Sequence, residues 1–184
     1  MKKFLMLSAL ALGISSVGSA SIIVTFDSTV AGTWTWNVDV ETASEVRTGD
    51  FFTIYDLQGF DGSSAHGEPG GWTWSAQLIG ITPNLVNPFD DPGAFNVTWT
   101  YSGTTVVGPS DLGSFSIFST AGGSRVDAYS ASGHAPSDIG DPGSQQNVGL
   151  TLVPGDAVPE PSSVILFGAG LAALLGGARR RSRA

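Results

Sequence analysis

Four aspartates in two predicted loops are the residues in this sequence best suited to bind a metal ion. Carboxylate oxygens are the ligands that Ca²⁺ prefers, and these acids come as one adjacent pair and one pair three residues apart: Asp90, Asp91, Asp138 and Asp141. The calcium loop pattern of an EF-hand is absent, and turn formation or solvation explains the acids equally well. We therefore predict a domain without a metal or cofactor and keep calcium at these four acids as the alternative.

Two histidines are the natural candidates for acid–base chemistry. His66 and His134 both have serines nearby, as the base of a secreted hydrolase would. A catalytic triad is defined by its geometry, however, and the sequence contains neither the G-x-S-x-G pattern of a serine hydrolase nor the H-E-x-x-H pattern of a zinc protease. We predict that the protein is not an enzyme and assign no catalytic residues, with a secreted hydrolase as the third hypothesis.

Two pairs of tryptophans have the spacing at which strand residues share a face. Trp34 and Trp36 form one pair, and Trp72 and Trp74 form the other. Exposed pairs could stack against the apolar faces of sugar rings and bind exopolysaccharide, whereas buried pairs would form a hydrophobic core. We predict core positions and keep a carbohydrate-binding module as the second functional hypothesis.

The segments that carry these residues alternate between apolar and polar positions, the pattern of half-buried β-strands. Alternation is strict in residues 33–40 and 95–101 and looser in residues 72–78. Further strands are predicted at residues 22–26, 51–57, 115–118, 125–129 and 148–153. Four Pro-Gly pairs supply tight turns, and the region has no helical stripe. The pattern predicts an all-β domain, an antiparallel β-sandwich of jelly-roll type, with an open barrel as the alternative.

The charge of the central region is strongly negative. Residues 21–158 contain two basic residues, Arg47 and Arg125, and fifteen acidic ones, a net charge of −13. Such a charge repels phosphate backbones and anionic lipid head groups, so we predict no nucleic-acid partner and no domain lying on a membrane. The sequence has no cysteine, so a secreted domain must be held by its own core rather than by disulfides.

The first twenty residues have the parts of a secretory signal peptide. Lys2 and Lys3 are followed by an apolar stretch and then by the small residues Gly18, Ser19 and Ala20. We predict a signal helix that signal peptidase removes by cleavage after Ala20, which places the central region outside the cytoplasm.

The last part of the chain is predicted to cross a membrane as a helix. Residues 164–178 are uncharged, and as a helix they would extend about 22 Å, short of the roughly 30 Å hydrocarbon core of a bilayer. Gly168, Ala172 and Gly176 are small residues four apart, which would let another helix pack closely. The basic cluster that follows should stay cytoplasmic; it comprises Arg179, Arg180, Arg181 and Arg183.

A Pro-Glu-Pro segment, Pro159, Glu160 and Pro161, precedes this span. Two prolines within three residues favour an extended, exposed backbone that a protease can bind. Taken alone, these features fit equally well a transient anchor that is cut away and an ordinary tail anchor.

In content and in the order of its parts, the tail at residues 158–184 resembles the PEP-CTERM sorting signal of Gram-negative bacteria. The same signature is sometimes labelled an ice-binding protein C-terminal domain, a label that belongs to the tail and does not predict ice binding by the domain before it. The resemblance implies processing by an exosortase, a membrane transpeptidase-like enzyme, in bacteria that make exopolysaccharide. It also implies transient anchoring in the inner membrane with the domain in the periplasm, followed by delivery to the cell surface or extracellular matrix.

The sequence therefore predicts three regions: a signal peptide at residues 1–20, an acidic all-β extracellular domain at residues 21–157, and a PEP-CTERM sorting signal at residues 158–184. The first functional hypothesis is an exported, non-catalytic surface or matrix protein. Its expected partners are signal peptidase, an exosortase-type enzyme and, under the second hypothesis, exopolysaccharide.

Overall fold

A computed structural model describes residues 21–63, 66–136 and 145–156. The regular structure in these ranges consists of β-strands, which in chain order are β1 (Ile22–Val30), β2 (Thr33–Val40), β3 (Glu45–Val46), β4 (Phe51–Leu57), β5 (His66–Gly67), β6 (Trp72–Gln77), β7 (Phe95–Tyr101), β8 (Val106–Val107), β9 (Ser110–Phe118), β10 (Ser124–Gly133) and β11 (Gln145–Pro154). Among these residues there is no helix that could span a membrane. The predicted signal helix and the predicted transmembrane helix at residues 164–178 lie outside the described ranges.

Two antiparallel sheets share one hydrophobic core, which confirms the predicted all-β class. The first sheet has the strand order β1-β2-β9-β5 and the second has the order β11-β10-β4-β7-β6, while β3 and β8 form a separate pair. Every strand pair is antiparallel. Because β9 lies beside β2 and β10 beside β4, the chain passes repeatedly from one sheet to the other, an arrangement that fits a β-sandwich.

Strand β2 illustrates how the alternating sequence pattern becomes structure. Trp34, Trp36, Val38 and Val40 are buried, and the residues between them are exposed or half-buried. The predicted bounds of β2, β4 and β7 match the observed bounds. Burial of every second side chain holds for β2, whereas β4 and β7, both inside the five-stranded sheet, are buried along almost their whole length.

Other strands are longer than predicted or were not predicted. β1, β9, β10 and β11 extend beyond their alternating apolar parts into residues that are mostly small or polar. Backbone pairing with a neighbour defines these extensions, and single-sequence periodicity cannot detect it. β3, β5 and β8 have two residues each, too few for any period to appear.

Aromatic side chains from both sheets fill the centre of the core. Phe115 of β9 packs edge-on against Phe52, Trp72 and Trp99 of the second sheet, with ring centroids 4.9, 5.1 and 5.6 Å away. Phe52 also stacks on Trp99 at 5.1 Å. Such ring contacts add about 0.5–1.5 kcal/mol per pair to the effect of burying the rings. They join the two sheets at their centre.

The sheets also meet at their edges, where side-chain hydrogen bonds connect β1 to β11. The Asn147 Oδ1 atom accepts hydrogen bonds from the N–H of Ser21 at 3.2 Å and from its hydroxyl at 3.1 Å. The Asn147 Nδ2 group donates to the Ile22 carbonyl at 2.9 Å. Further along, the Trp36 Nε1–H donates to the Leu152 carbonyl at 2.9 Å. The first and last of the described strands are thus tied together along one side of the domain.

A bulge in β4 places the carboxylate of Asp56 in the protein interior. Asp56 has a φ of 57° and is fully buried. Its Oδ1 atom accepts a hydrogen bond from the Asp91 N–H at 2.8 Å, and its Oδ2 atom lies 3.8 Å from the Arg125 guanidinium. Burial raises the pKa of Asp56 to about 6, with the Asp127 carboxylate adding to the rise and the Asp91 hydrogen bond and Arg125 opposing it.

Replacing Phe115 with alanine should lower the free energy of unfolding by about 3–5 kcal/mol, the usual loss when a buried aromatic ring is deleted. Phe118→Ala is the matched control, because the same residue type on the same strand is 37% exposed and its removal should cost about 1 kcal/mol or less. Urea unfolding of both variants measures the difference. Equal losses would contradict the central position of the aromatic cluster.

Asp56 should make the domain more stable at mildly acidic pH. Its pKa is about 6 in the folded state, against an ordinary value of 3.8. At a pH between these two values, Asp56 therefore binds more protons in the folded state than in the unfolded chain. The resulting contribution to the free energy of unfolding is largest below about pH 4 and is lost as pH rises through about 6. Asp56→Asn removes the titration and keeps a residue that tolerates positive φ.

Thermal unfolding measured from pH 4 to pH 7 should therefore show a smaller fall in Tm for Asp56→Asn than for the wild type. Asp27→Asn makes the same charge change at an exposed position and should keep the wild-type slope. Parallel curves for the wild type and Asp56→Asn would be evidence against a raised Asp56 pKa.

Candidate functional site

The residues predicted to form the sorting signal lie outside the described part of the chain. They are Pro159, Glu160 and Pro161, the small residues Gly168, Ala172 and Gly176, and the basic cluster Arg179, Arg180, Arg181 and Arg183. The structure does describe the point at which the chain leaves the domain toward them.

The chain is held to the domain up to Asp156, three residues before Pro159. Strand β11 ends at Pro154, whose carbonyl accepts a hydrogen bond from the Gln58 N–H at 3.2 Å. The Asp156 N–H donates to Gln58 Oε1 at 2.9 Å. Three residues span at most about 10 Å, so Pro159 cannot be farther than that from Asp156. We call the surface around Asp156 the exit.

The loop that holds the exit is itself fixed by a neighbouring loop. The Ser119 Oγ–H donates to the Gln58 carbonyl at 2.6 Å, and the Thr120 N–H donates to the Gly59 carbonyl at 3.0 Å. Gly59 has a φ of 68°, and a Cβ atom there would lie 2.5 Å from the Ala121 nitrogen. Glycine is therefore required at this position. The hydrogen bonds between the loop at Gln58 and Gly59 and the loop at Ser119 and Thr120 hold the exit in place.

An apolar surface lies beside the exit on the outer face of β10 and β11. Val126, Val148 and Leu150 point away from the core on this face and are 63%, 43% and 70% exposed. Val126 pairs with Leu152, two residues before Pro154. We call the three exposed residues Val126, Val148 and Leu150 the exit stripe.

The outer face of this strand pair carries no charged side chain. Because side chains alternate between faces, the outward positions follow from the register, and they are Ser124, Val126, Ala128, Ser130 and Ser132 on β10 and Gln146, Val148, Leu150, Leu152 and Pro154 on β11. Ala128, Ser130, Ser132 and Pro154 are buried, so the accessible neutral surface is the part around the exit stripe. It lies in a region whose net charge between residues 21 and 158 is −13.

The predicted tryptophan pairs belong to the core. Trp34, Trp36 and Trp72 are at most 7% exposed, and the half-buried Trp74 packs against the same core. The buried rings of Trp34, Trp36 and Trp72 present no face to a sugar, so neither complete pair forms an exposed stacking surface; carbohydrate binding elsewhere on the domain stays a prediction. The physical reason is that the two sheets need these rings to fill the space between them.

Asp90 and Asp91, two of the four candidate calcium ligands, shape the loop between β6 and β7. The Asp90 carboxylate accepts hydrogen bonds from the Gly80 N–H and from Asn96 Nδ2, both at 2.8 Å. Asp91 Oδ1 accepts the Gly93 N–H at 2.9 Å. The described ranges hold no group of three or more acidic or histidine side chains placed to bind a metal, and the other two candidates, Asp138 and Asp141, lie outside these ranges. Calcium at these acids stays a prediction.

The structure adds a partner of His134 that the sequence did not indicate. The His134 Nδ1 atom lies 2.9 Å from Asp50 Oδ2, which also accepts the Arg47 N–H at 2.7 Å. Burial raises the pKa of Asp50, while the bonds to Arg47 and His134 lower it. Both side chains of the pair are more than nine-tenths buried, so it ties the end of β10 to the turn before β4. His66 lies in the first sheet, where its backbone pairs with Ile117.

A cleft of about 400 Å³ lies at the other end of the first sheet from the exit. Its lining includes three acidic side chains, Asp39, Glu41 and Asp111. Burial raises the pKa of Asp39, and the carboxylates of Asp111 and Glu41 raise it further. The negative field of the cleft disfavours anionic ligands.

Comparison with known proteins identifies the tail and finds no match for the domain. No curated protein and no solved structure matches the chain. Residues 157–181 match the family model of the PEP-CTERM protein-sorting motif, and this match begins at the residue after Asp156. The motif implies export, transient anchoring in a membrane through the tail and processing by an exosortase-type membrane enzyme. The chain therefore carries a PEP-CTERM protein-sorting motif, a signal that implies export, directly after a folded β domain.

Proposed function

We propose that this protein is a non-catalytic component of the cell surface or extracellular matrix, delivered there by exosortase-dependent processing of its tail. The observation that carries the proposal is the position of the sorting motif, which starts at residue 157, directly after the last described residue hydrogen-bonded to the domain. Processing within this motif would release the β domain without disturbing any described strand.

The charge of the domain supports a role among hydrated polymers outside the cell. Its two basic side chains are both engaged within the domain, since Arg47 pairs with Glu45, and Arg125 pairs with Asp127 at 2.9 Å. The surplus of acids keeps such a domain soluble and repels other anions. Divalent cations could bridge these acids to an acidic polysaccharide.

A non-catalytic role is favoured by the way one candidate catalytic residue and two candidate metal ligands are used. His134 is buried against Asp50, and Asp90 and Asp91 accept hydrogen bonds that shape a loop. The burial of Trp34, Trp36 and Trp72 favours a structural role over the carbohydrate-binding alternative. A structural or adhesive role requires none of these groups to be free.

The N-terminal boundary supports export as well. Ser21, the residue after the predicted signal-peptidase site, is buried and hydrogen-bonded to Asn147. A chain cut after Ala20 keeps this contact and every described strand.

The intact mass of the protein recovered from fractionated native cells tests the proposal at both ends. The expected species begins at Ser21, ends between Pro159 and Ser162, and is found outside the inner membrane. Recovery from the inner membrane of a species that still contains residues 164–184 would instead make the tail a lasting anchor.

Replacing Pro159, Glu160 and Pro161 with alanines should keep the protein in the inner membrane at full tail length, because the segment that the processing enzyme binds is lost. The matched control is Glu68→Ala/Pro69→Ala, which removes the other Glu-Pro pair of the sequence and should leave release unchanged. Immunoblots of membrane and released fractions provide the measurement. Normal release of the triple-alanine variant would overturn the assignment of this segment as the processing signal.

A further inference from the structure

We propose that the exit stripe is a docking surface for the exosortase-type enzyme that processes the tail. The inference rests on the proposed function and adds to it the part of the domain that this enzyme contacts. Val126 and Leu150 are the two most exposed members of the stripe.

The length of the chain brings the enzyme close to the stripe. Asp156 is hydrogen-bonded to the domain, and Pro159 can lie at most about 10 Å beyond it. Leu150 precedes Pro154 by four strand residues, which corresponds to about 13 Å. A folded enzyme domain is roughly 30 Å across or larger. An enzyme bound to residues 159–161 must therefore present part of its surface to the domain around the exit.

The chemistry of the stripe suits a neutral, apolar protein surface. Its three side chains are large, aliphatic and exposed, and the outward positions of β10 and β11 around them are uncharged. Exposed apolar residues grouped in this way, rather than scattered singly, are typical of interaction surfaces. Ser124, which is exposed, and Gln146, which is half-buried, lie at the margin of the stripe and would contribute to the polar rim that such contacts usually have.

Charge disfavours the other molecules that could cover this face. A second copy of the domain would bring another net charge of −13, and anionic lipid head groups would also be repelled. The processing enzyme is the partner that the motif requires at this position. Contact with the stripe would hold the Pro-Glu-Pro segment at a high effective concentration beside the enzyme.

The test is a pulse-chase measurement of tail processing in native cells. The stripe variant Val126→Thr/Leu150→Thr removes apolar surface and keeps a residue suited to strands. The matched control, Val107→Thr, changes a residue that is 58% exposed on the separate β3–β8 pair. We expect the full-length form of the stripe variant to disappear severalfold more slowly than the wild type, and the control to match the wild type.

A spacer variant keeps the proposal falsifiable if the stripe variant folds poorly. Eight Gly/Ser residues inserted between Asp156 and Ala157 lengthen the tether, which lowers the effective concentration that docking provides. We expect slower processing of the spacer variant and little further loss when the stripe substitutions are added to it. Faster processing of the spacer variant would mean that the domain only obstructs the enzyme, which overturns the proposal.

The triple-alanine variant of Pro159, Glu160 and Pro161, measured in parallel, separates this proposal from the proposed function. Blocked processing of that variant together with normal processing of the stripe variant would overturn the docking surface alone. If, in that case, the released stripe variant also sediments as a smaller species than the released wild type, the stripe belongs to an interface between copies of the domain.

Discussion

The packing of Phe115 among Phe52, Trp72 and Trp99 is the contact on which the association of the two sheets depends. Without cysteine, the domain has no covalent cross-link between its sheets, so side-chain packing and a few hydrogen bonds must hold them together. This requirement draws the tryptophans into the interior. It thereby buries three of the four tryptophans that could have formed stacking pairs for sugars, Trp34, Trp36 and Trp72.

The second constraint is charge: residues 21–158 contain fifteen acidic residues and only two arginines to neutralise them. Arg125 lies between Asp127 and the buried Asp56, and Arg47 is used by Glu45. Burial raises the pKa of Asp56 to about 6, and Arg125, at 3.8 Å, opposes this rise without cancelling it. The neutral outer face of β10 and β11 stands apart from this field, which is why it is the face suited to close contact with another macromolecule.

The parts of the molecule that could be predicted from sequence are those encoded locally. β2 and β7 have unbroken alternation of apolar and polar residues, and their observed bounds match the prediction. The sorting motif is a linear signal in which Pro159, Glu160 and Pro161 stand in order before an apolar span, and the family comparison confirms it.

Features that depend on distant residues could not be predicted in this way. Asp50 and His134 are 84 residues apart, and nothing near either residue indicates the other. The two-residue strands β3 and β8 exist because they pair with each other. The neutral exit stripe became visible only when the register of β10 and β11 showed which side chains share a face.

The hydrogen bonds of Asn147 to Ser21 and Ile22 impose an order of events on export. A chain translocated from its N-terminus delivers Ser21 first among the described residues and β11 near the end, so the two edges cannot be joined until almost the whole domain has crossed the membrane. Only the sorting motif follows β11 in the chain. A tail that stays in the bilayer for a time would hold the nearly complete domain beside the membrane. During that time β11 could pair with β10. Release of the domain would then follow its folding.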